Sequence, residues 1–247
     1  MTPRRGGQRN SRLFALLGLI ALVGIGALGY AATQRNAAPA AATRAVDPAL
    51  AAQAEGYLLG SPDAPVKILE FADFECPGCA QFATVTEPDV RKRLVETGQA
   101  SFRFYDYPLD QHQNSYPASH AAACAAEQGK FWEMHDRIFA GQNEWSTYAT
   151  SSPKKIFQGY AGTIGLDVGK WEQCYDAERY LKKIQANRAE GDRRQIPGTP
   201  TLYVNDRQAN VAGYDQLKAL VDSARADVVV RGGAIAPKAD SAAAAPR

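Results

Sequence analysis

The sequence predicts an α/β domain with a mixed β-sheet, and three observations support this. The predicted elements of residues 55–230 run in the order strand, helix, strand, long helical stretch, strand, strand, helix, so a βαβ half precedes a ββα half. The helical stretch, at about residues 109–194, is predicted to be an insertion between the two halves. With 45% hydrophobic and 22% charged residues, the composition is close to that of globular proteins and argues against a disordered or fibrous chain.

The first half begins with a short apolar segment. Val66–Phe71 is rich in β-prone residues and predicts a buried strand. A loop follows, and a helix is expected to open at Cys76. Pro88 is expected to break or restart this helix, and Gly98 to close it. Ser101–Tyr105 alternates as a strand does.

Helical spacing then dominates up to the second half. It is clearest at i, i+4, i+7 and i+8 in one group of residues: Phe131, His135, Ile138 and Phe139. Thr201–Val204 and Gln208–Val211 predict two strands joined by a turn. A final helix is expected over about residues 215–225, with leucine and valine on one face.

An apolar segment precedes the domain. Leu13–Ala32 contains 20 residues without a charge or a proline. At about 1.5 Å per residue, such a helix crosses a bilayer core of roughly 30 Å. Residues 1–12 form a basic tail that the positive-inside rule places in the cytoplasm. We therefore predict a single-pass anchor, with a signal peptide cleaved near Gly29–Ala31 as the alternative, and both export the remaining chain.

Low-complexity stretches flank the predicted domain, and the charge is nearly balanced. Residues 33–54 are alanine-rich with two prolines, which is typical of a linker, and residues 231–247 are typical of a disordered tail. The net charge of +2 depends on four arginines among residues 1–12, without which 24 basic residues face 26 acidic ones. This balance argues against a nucleic-acid-binding protein of the basic-patch class.

The pair Cys76 and Cys79 lies where a buried strand gives way to a helix. Proline is favoured as the first helical residue, so Pro77 makes Cys76 the N-cap. The Cys76 sulfur then faces unpaired backbone N–H groups and the positive end of the helix dipole, and both favour the thiolate. Cys79, one turn further, is expected to be shielded and to act as the resolving thiol. We predict a redox-active disulfide.

Two other interpretations of this pair were weighed. A structural zinc site normally needs a second closely spaced pair, whereas Cys124 and Cys174 are isolated. An inert structural disulfide gains little from so short a loop. Position after a strand and an exported location favour redox chemistry. No metal site and no cofactor is predicted, and His112, His120 and His135 form no metal-binding set.

Three stretches together resemble a known family. Residues 66–82 (VKILEFADFECPGCAQF), residues 122–139 (AACAAEQGKFWEMHDRIF) and residues 196–201 (IPGTPT) are similar to a DsbA-like thiol:disulfide oxidoreductase of the thioredoxin superfamily, with a DsbA/thioredoxin-4-like domain. The similarity covers about residues 56–226. It implies a thioredoxin fold, a mixed central sheet flanked by helices, with an all-helical insertion.

The resemblance assigns roles to individual residues. Cys76 matches the exposed nucleophile and Cys79 its buried partner. Pro200 matches the family's cis-proline, which lies beside the disulfide and helps to hold the substrate. Thr199 would offer backbone groups to an extended peptide, as in strand addition. An ordinary strand-entry proline is the alternative for Pro200.

Glu70 and Gly78 raise separate points. An acidic residue lies beneath the disulfide in the family, so Glu70 would shuttle the proton of Cys79, while an edge-strand or ion-paired glutamate is the alternative. Strongly oxidising members usually carry histidine at the position of Gly78. Glycine leaves the thiolate dependent on backbone N–H groups alone, which implies a higher Cys76 pKa and a less oxidising couple.

The remaining cysteines lie in predicted helices of the insertion. Some DsbA-like proteins carry a second disulfide in this region, which supports a structural bond between Cys124 and Cys174. In the chain-entropy model, closing a loop of about 50 residues stabilises the fold by roughly 4 kcal/mol. A second redox couple that relays electrons is the functional alternative.

These expectations combine into an exported, membrane-anchored thiol:disulfide oxidoreductase. It would pass a disulfide from Cys76 and Cys79 to exported proteins, and the resemblance implies re-oxidation by a membrane thiol oxidase of the DsbB or VKOR type. The catalytic domain would lie on the extracytoplasmic side, or be secreted or periplasmic after signal cleavage. The rival hypotheses are a reductase or isomerase kept reduced by a membrane electron donor, and a non-catalytic peptide-binding chaperone or adaptor.

Overall fold

The computed structural model describes Leu17 and residues 46–234, with side chains up to residue 228. The chain divides into two compact units, and the second begins at Val46. The predicted anchor Leu13–Ala32 lies outside the described residues except for Leu17, as do residues 235–247 of the predicted tail. Within the described part of the chain, no helix combines the length and the apolar character needed to cross a membrane.

Five strands form one mixed sheet, which confirms the predicted fold class. Their bounds are β1 Tyr57–Leu59, β2 Val66–Ala72, β3 Ala100–Asp106, β4 Thr201–Val204 and β5 Arg207–Ala209. In the order β1-β3-β2-β4-β5, β2 and β3 are parallel and the other neighbours are antiparallel. The sequence prediction missed β1, a three-residue edge strand, and placed β5 one to two residues too late.

Ten α-helices surround the sheet within the described residues. Their bounds are α1 Pro48–Ala51, α2 Pro77–Gln81, α3 Glu87–Val90, α4 Ser115–Ala126, α5 Phe131–Ala140, α6 Gln142–Trp145, α7 Lys154–Thr163, α8 Val168–Asp176, α9 Leu181–Arg193 and α10 Tyr214–Ala234. Helices α4 to α9 form the predicted insertion between β3 and β4.

The helix that begins at the cysteine pair does not break at Pro88, but regular α-helical geometry restarts there, at Glu87, as the second predicted alternative has it. Two π-helical turns, Phe82–Thr86 and Arg91–Val95, join α2 and α3 into one continuous helix over residues 77–95. Proline clashes with the carbonyl four residues before it in a regular α-helix, and the wider π-turn ahead of Pro88 accommodates the ring. The chain leaves the helix shortly afterwards, and Gly98 adopts a positive φ of 70°.

Two predicted domain boundaries need correction. Asp47 caps α1 by accepting the Ala49 and Leu50 N–H groups, and Ala51 is buried, so the end of the predicted linker 33–54 belongs to the folded unit. At the other end, α10 extends to Ala234, four residues into the predicted tail 231–247.

The sheet is covered on both faces. Ile68 of β2 pairs with Phe102 of β3, and both pack against the helix over residues 77–95 and against α10. Glu70 follows Ile68 by two residues and so lies on the same face. Phe71 points the opposite way, toward Tyr107 and α9. The helix over residues 77–95 therefore covers the face of β2 that carries Glu70.

Candidate functional site

Cys76 and Cys79 lie at the start of α2, just after β2. A turn closed by the hydrogen bond from the Cys76 N–H to the Asp73 carbonyl (3.0 Å) leads into the helix. Cys76 is the N-cap, with extended backbone angles (φ −73°, ψ 123°), and Pro77 is the first helical residue. Both cysteines are free thiols, so the structure contains the dithiol form of the pair. Cys76 is 9% exposed and Cys79 is fully buried, so of the two only Cys76 is open to another chain.

The surroundings of Cys76 stabilise its thiolate. The Cys79 thiol donates a hydrogen bond that contributes most to lowering the pKa of Cys76, to about 5. Partial burial opposes this, whereas Thr199 and the backbone N–H groups of Gly78 and Cys79 favour the charged form. The Cys79 thiol therefore adds to the backbone N–H groups that were expected to serve the thiolate.

Cys79 has the opposite properties. Complete burial raises the pKa of its thiol well above the ordinary value. The hydrogen bond to Cys76 and the negative charges of Cys76 and Glu70 act in the same direction. Near neutral pH the pair therefore consists of a reachable thiolate and a buried, protonated thiol, which are the states a nucleophile and a resolving cysteine need.

The loop before β4 brings Thr199 and Pro200 to the cysteine pair. The Thr199–Pro200 peptide bond is cis, in contrast to an ordinary strand-entry proline. Sγ of Cys76 lies 3.4 Å from the Thr199 carbonyl oxygen, which accepts a hydrogen bond from it only while Cys76 is protonated. A Cβ atom on Gly78 would lie 3.3 Å from Cδ of Pro200. The fold thus joins two motifs that are separated by more than a hundred residues.

A groove of about 250 Å³ opens beside these residues. Gly78, Phe82 and Val85 line it on the helix side, and Pro200 and Leu202 line it on the β4 side. Val85 is 68% exposed, so the groove presents an apolar side chain to solvent. Two larger grooves, of about 330 and 460 Å³, lie against α10 and contain none of these residues.

Glu70 is fully buried in the central strand β2, opposite Phe104 of β3. Neither carboxyl oxygen has a hydrogen-bond partner in the part of the chain that the structure describes. Burial, above all, raises the pKa of Glu70 well beyond its usual range; the charges of Glu87 and Cys76 add to this and that of Arg91 opposes it. The alternative of an edge-strand or ion-paired glutamate is wrong, because β2 is central and the described residues include no ion pair of Glu70.

A second buried carboxyl, Glu87 of α3, lies close enough to act on Glu70 and was missed by the sequence analysis. Its Oε1 accepts from Arg91 Nε at 2.7 Å, and its Oε2 lies 3.7 Å from Nε2 of the buried His135. The other ring nitrogen of His135 lies 2.9 Å from Oδ1 of Asp136, whose side chain is 55% exposed. Arg91 also pairs with Asp136, at 2.7 Å.

Asp73 and Glu75 fasten the active-site loop to the insertion, which the sequence analysis also missed. The buried Asp73 carboxylate accepts the backbone N–H groups of Glu75 (2.7 Å) and Leu109 (2.8 Å) and lies 2.7 Å from Nδ1 of His112. The buried Glu75 carboxylate accepts the Asn114 N–H at 2.9 Å. The sequence signal that could have indicated this role is the presence of two carboxylates in the loop just before Cys76.

Further bonds reach the loop from α6 and its surroundings. The Gln142 side chain donates to the carbonyl oxygens of Phe74 (2.8 Å) and Cys76 (3.1 Å). The Thr147 N–H donates to the second oxygen of Glu75. Hydrogen bonds from the insertion therefore fix the backbone that carries Cys76.

Cys124 and Cys174 form a disulfide between α4 and α8, with an S–S distance of 2.03 Å. Both residues are fully buried in the core of the insertion. The bond ties together two helices whose cysteines are 50 residues apart.

Glu87, His135 and Asp136 are the one group among the described residues whose side-chain types can bind a metal ion and whose donor atoms lie within 4.8 Å of one another. The Arg91 guanidinium pairs with both carboxylates of this group, Glu87 and Asp136. It therefore supplies the positive charge that a metal ion would bring to them. The three histidines do not converge: His112 contacts Asp73, while the ring of His120 faces the Tyr116 carbonyl.

Comparisons with known proteins identify a family and similar folds. A family model described as thioredoxin matches residues 52–223. Over 177 residues the chain is 35% identical to Na(+)/H(+) antiporter NhaA 3 of Salinispora tropica, covering 71% of this chain and 26% of the antiporter. Over 176 residues it is 27% identical to disulfide bond formation protein D of Bacillus subtilis, covering 67% of this chain and 75% of that protein. The crystal structure of oxidised BdbD from Bacillus subtilis has a TM-score of 0.62 at 24% identity, covering 69% of this chain and 93% of that structure.

These matches differ in what they establish. The chain spans about a quarter of the length of the antiporter, so the similarity concerns one part of that protein. The likeness to BdbD concerns the fold. The family model covers more than half of the chain and includes Glu70, Cys76, Cys79, Thr199 and Pro200. By this match and by its fold, the chain belongs to the thioredoxin family.

Proposed function

We propose that this protein is an exported thiol:disulfide oxidoreductase that introduces disulfides into other exported proteins. The observation that carries the proposal is the asymmetry of the cysteine pair. Cys76 is reachable and its pKa is lowered to about 5, whereas Cys79 is buried and its pKa is raised. This asymmetry supplies one sulfur for exchange with a substrate and one for the intramolecular step.

In the oxidising direction the reaction has two exchange steps. A substrate thiolate attacks Sγ of Cys76 in the disulfide form, the Cys76–Cys79 bond breaks, and Cys79 leaves with the electron pair. A second thiolate of the same substrate then attacks the substrate sulfur of the mixed disulfide. The substrate gains its disulfide and Cys76 leaves as a thiolate, so the enzyme is reduced by two electrons. Thr199 and Pro200 would hold the substrate chain beside Cys76 during both steps.

The low pKa of Cys76 favours an oxidant over a reductant. A stabilised Cys76 thiolate stabilises the reduced enzyme and makes the disulfide a stronger oxidant. Against this, Gly78 occupies the position where strongly oxidising relatives usually carry histidine. Because the Cys79 thiol donates to Cys76, this glycine does not leave the thiolate without a side-chain donor.

Anchoring and partners complete the proposal. The 20 uncharged residues Leu13–Ala32 support a single-pass anchor that keeps the catalytic domain on the extracytoplasmic side. An oxidant must be re-oxidised after each turnover, and a membrane thiol oxidase of the DsbB or VKOR type would accept the two electrons. The substrates would be exported proteins that contain cysteines.

The reduction potential of the Cys76–Cys79 pair tests the direction of the reaction. We expect about −120 to −180 mV against glutathione, in the range of disulfide donors. A value near −250 mV or lower, roughly that of thioredoxin, would instead support a reductase. Cys76→Ser should abolish oxidation of a reduced peptide, and full activity of this variant would contradict the proposed chemistry.

A further inference from the structure

The buried sulfur of Cys79 has to exchange a proton whenever the disulfide opens or closes. Cys79 is fully buried, and the nearby carboxyl Glu70 is fully buried as well. A proton that Glu70 gives to Cys79 must be replaced from solvent, and one that it accepts must be released. The cysteine pair and Glu70 alone offer no exposed titratable group except Cys76 itself.

Four further side chains continue from Glu70 towards the surface. Glu87 acts electrostatically on Glu70, and its Oε2 has no hydrogen-bond partner among the described residues. That oxygen lies 3.7 Å from Nε2 of His135, which likewise lacks a partner in the described chain. Nδ1 of His135 lies 2.9 Å from Oδ1 of Asp136. Asp136 is about half exposed, and Arg91 contacts both Glu87 and Asp136.

The rest of the surroundings of His135 is apolar. Phe74, Phe104 and Trp132 place their rings with centroids 5.7, 5.1 and 5.1 Å from the imidazole. The charged groups that face it are Glu87 and Arg91 from the helix over residues 77–95 and Asp136 from its own helix. These rings shield the imidazole from bulk water, so Glu87, Arg91 and Asp136 are the charged side chains left in contact with it.

We propose that Glu87 and His135 form a proton path that links Glu70 and Cys79 to solvent at Asp136. This inference rests on the proposed disulfide exchange and deepens it. When Cys79 leaves as a thiolate, Glu70 gives it a proton and becomes a carboxylate. Glu70 regains a proton through Glu87, and His135 passes the replacement from one ring nitrogen to the other. In the reverse step each proton moves the opposite way, and no electrons are exchanged along the path.

Arg91 has a distinct part in this arrangement. Its guanidinium bonds Glu87 and Asp136 at once and so holds the inner and outer carboxylates in place. The negative charges of Glu87 and Asp136 raise the pKa of Arg91, although burial opposes them. Arg91 therefore stays charged and does not itself carry the proton. Glu87 and His135 act through Glu70, which makes them positioning residues for the reaction at Cys79.

The test is the rate at which oxidised glutathione closes the disulfide of the full chain, because the proton that Cys79 loses on closure has to leave through Glu70 and the path beyond it. Reduced protein is mixed with oxidised glutathione between pH 5 and 8, quenched in acid, and its remaining free thiols are counted by mass spectrometry. Glu87→Gln and His135→Gln should each lower the rate by about tenfold, less than a general acid at the reacting atom contributes, and should change the pH profile. Asp89→Asn on the same helix and His120→Gln, another buried histidine, should retain the wild-type rate and profile.

A second measurement needs no variant. The imidazole of His135 is titrated by NMR in the oxidised and in the reduced wild-type protein, and the path predicts different titration curves. Unchanged rates in both folded variants would overturn the proposal. Identical His135 titrations in the two redox states would overturn it even where a variant fails to fold. If wild-type protein forms no mixed disulfide at Cys76, the proposed function fails as well, which distinguishes the two results.

Discussion

Gly78 and Pro200 approach so closely that a methyl group on Gly78 would sit tightly against the proline ring. A Cβ atom on Gly78 would lie 3.3 Å from Cδ of Pro200 and 3.7 Å from Sγ of Cys76. Both neighbours are constrained, since the Pro200 ring is closed on its own backbone nitrogen and Cys76 is the N-cap of α2. A substrate that attacks Cys76 must approach through this region. The absence of a side chain at Gly78 therefore keeps the approach to the sulfur open.

Gly78→Ala should slow the exchange reaction without removing it. The added methyl group narrows the approach between Cys76 and Pro200, so we expect a several-fold higher KM for a reduced peptide and little change in the Cys76 pKa. Gly159→Ala is the matched control, because Gly159 is also helical and a Cβ there meets no atom within 4 Å. The control should stabilise the fold by about 0.5–1 kcal/mol and leave KM unchanged. Equal kinetics for the two variants would contradict this role of Gly78.

The thiolate of Cys76 should form at an acidic pH. Absorbance of the reduced protein at 240 nm should show one transition with a pKa of about 5, because the Cys79 thiol and the first-turn N–H groups stabilise the charge. Cys79→Ala removes the largest of these contributions and should raise the Cys76 pKa. Cys76→Ala should abolish the transition below pH 8, since the pKa of Cys79 is raised. An unchanged Cys76 pKa in Cys79→Ala would show that the backbone alone supports the thiolate.

The same shift should make the stability of the reduced protein depend on pH. The Cys76 pKa lies near 5 in the folded state and near 8.5 in an unfolded chain, so the stabilisation is complete above about pH 8.5 and is lost as the pH falls through 5. In the oxidised protein Cys76 is part of a disulfide and does not titrate, so this contribution to stability is missing. The free energy of unfolding of the reduced form, relative to the oxidised form, should therefore rise with pH by up to about 1.4 kcal/mol per unit.

Urea denaturation of both redox forms between pH 5 and 8 measures this difference. The raised pKa of Glu70 acts in the opposite direction, with stability lost as the pH rises. Glu70 is present in both redox forms, so comparing them removes most of its effect. A difference that stays constant, or that falls with increasing pH, would contradict the low Cys76 pKa.

Local sequence rules predicted the part of the site that is formed by neighbouring residues. The strand before the cysteines, the N-cap position of Cys76 and the first helical place of Pro77 follow from propensity and capping, and the structure has each of them. The proximity of Thr199 to Cys76 could not follow from spacing, because 123 residues separate them. Only the resemblance to a family brought these two parts together.

Other features could not be predicted from the sequence because they depend on tertiary packing. His135 lies on an apolar helical stripe, where its spacing marked a core position and gave no hint of its contact with Glu87. Pro88 suggested a break, since the π-turn that accommodates it has no simple sequence signal. The three-residue strand β1 is too short to show a period and forms because β3 offers it a partner.

Glu75→Gln should destabilise the protein and slow the exchange reaction together. The Glu75 carboxylate accepts the backbone N–H groups of Asn114 and Thr147, one on each oxygen, and so ties the residue before Cys76 to the insertion. A glutamine places an NH₂ group against one of these donors and leaves it unpaired, which costs about 1–3 kcal/mol in a buried site.

Glu133→Gln, on the exposed side of α5, serves as the control and should change neither property. Urea denaturation gives the stability, and turnover of a reduced peptide gives the activity. A stable variant with reduced turnover would still fit a loop that positions Cys76, whereas wild-type values for both would show that these bonds do not hold the active-site loop.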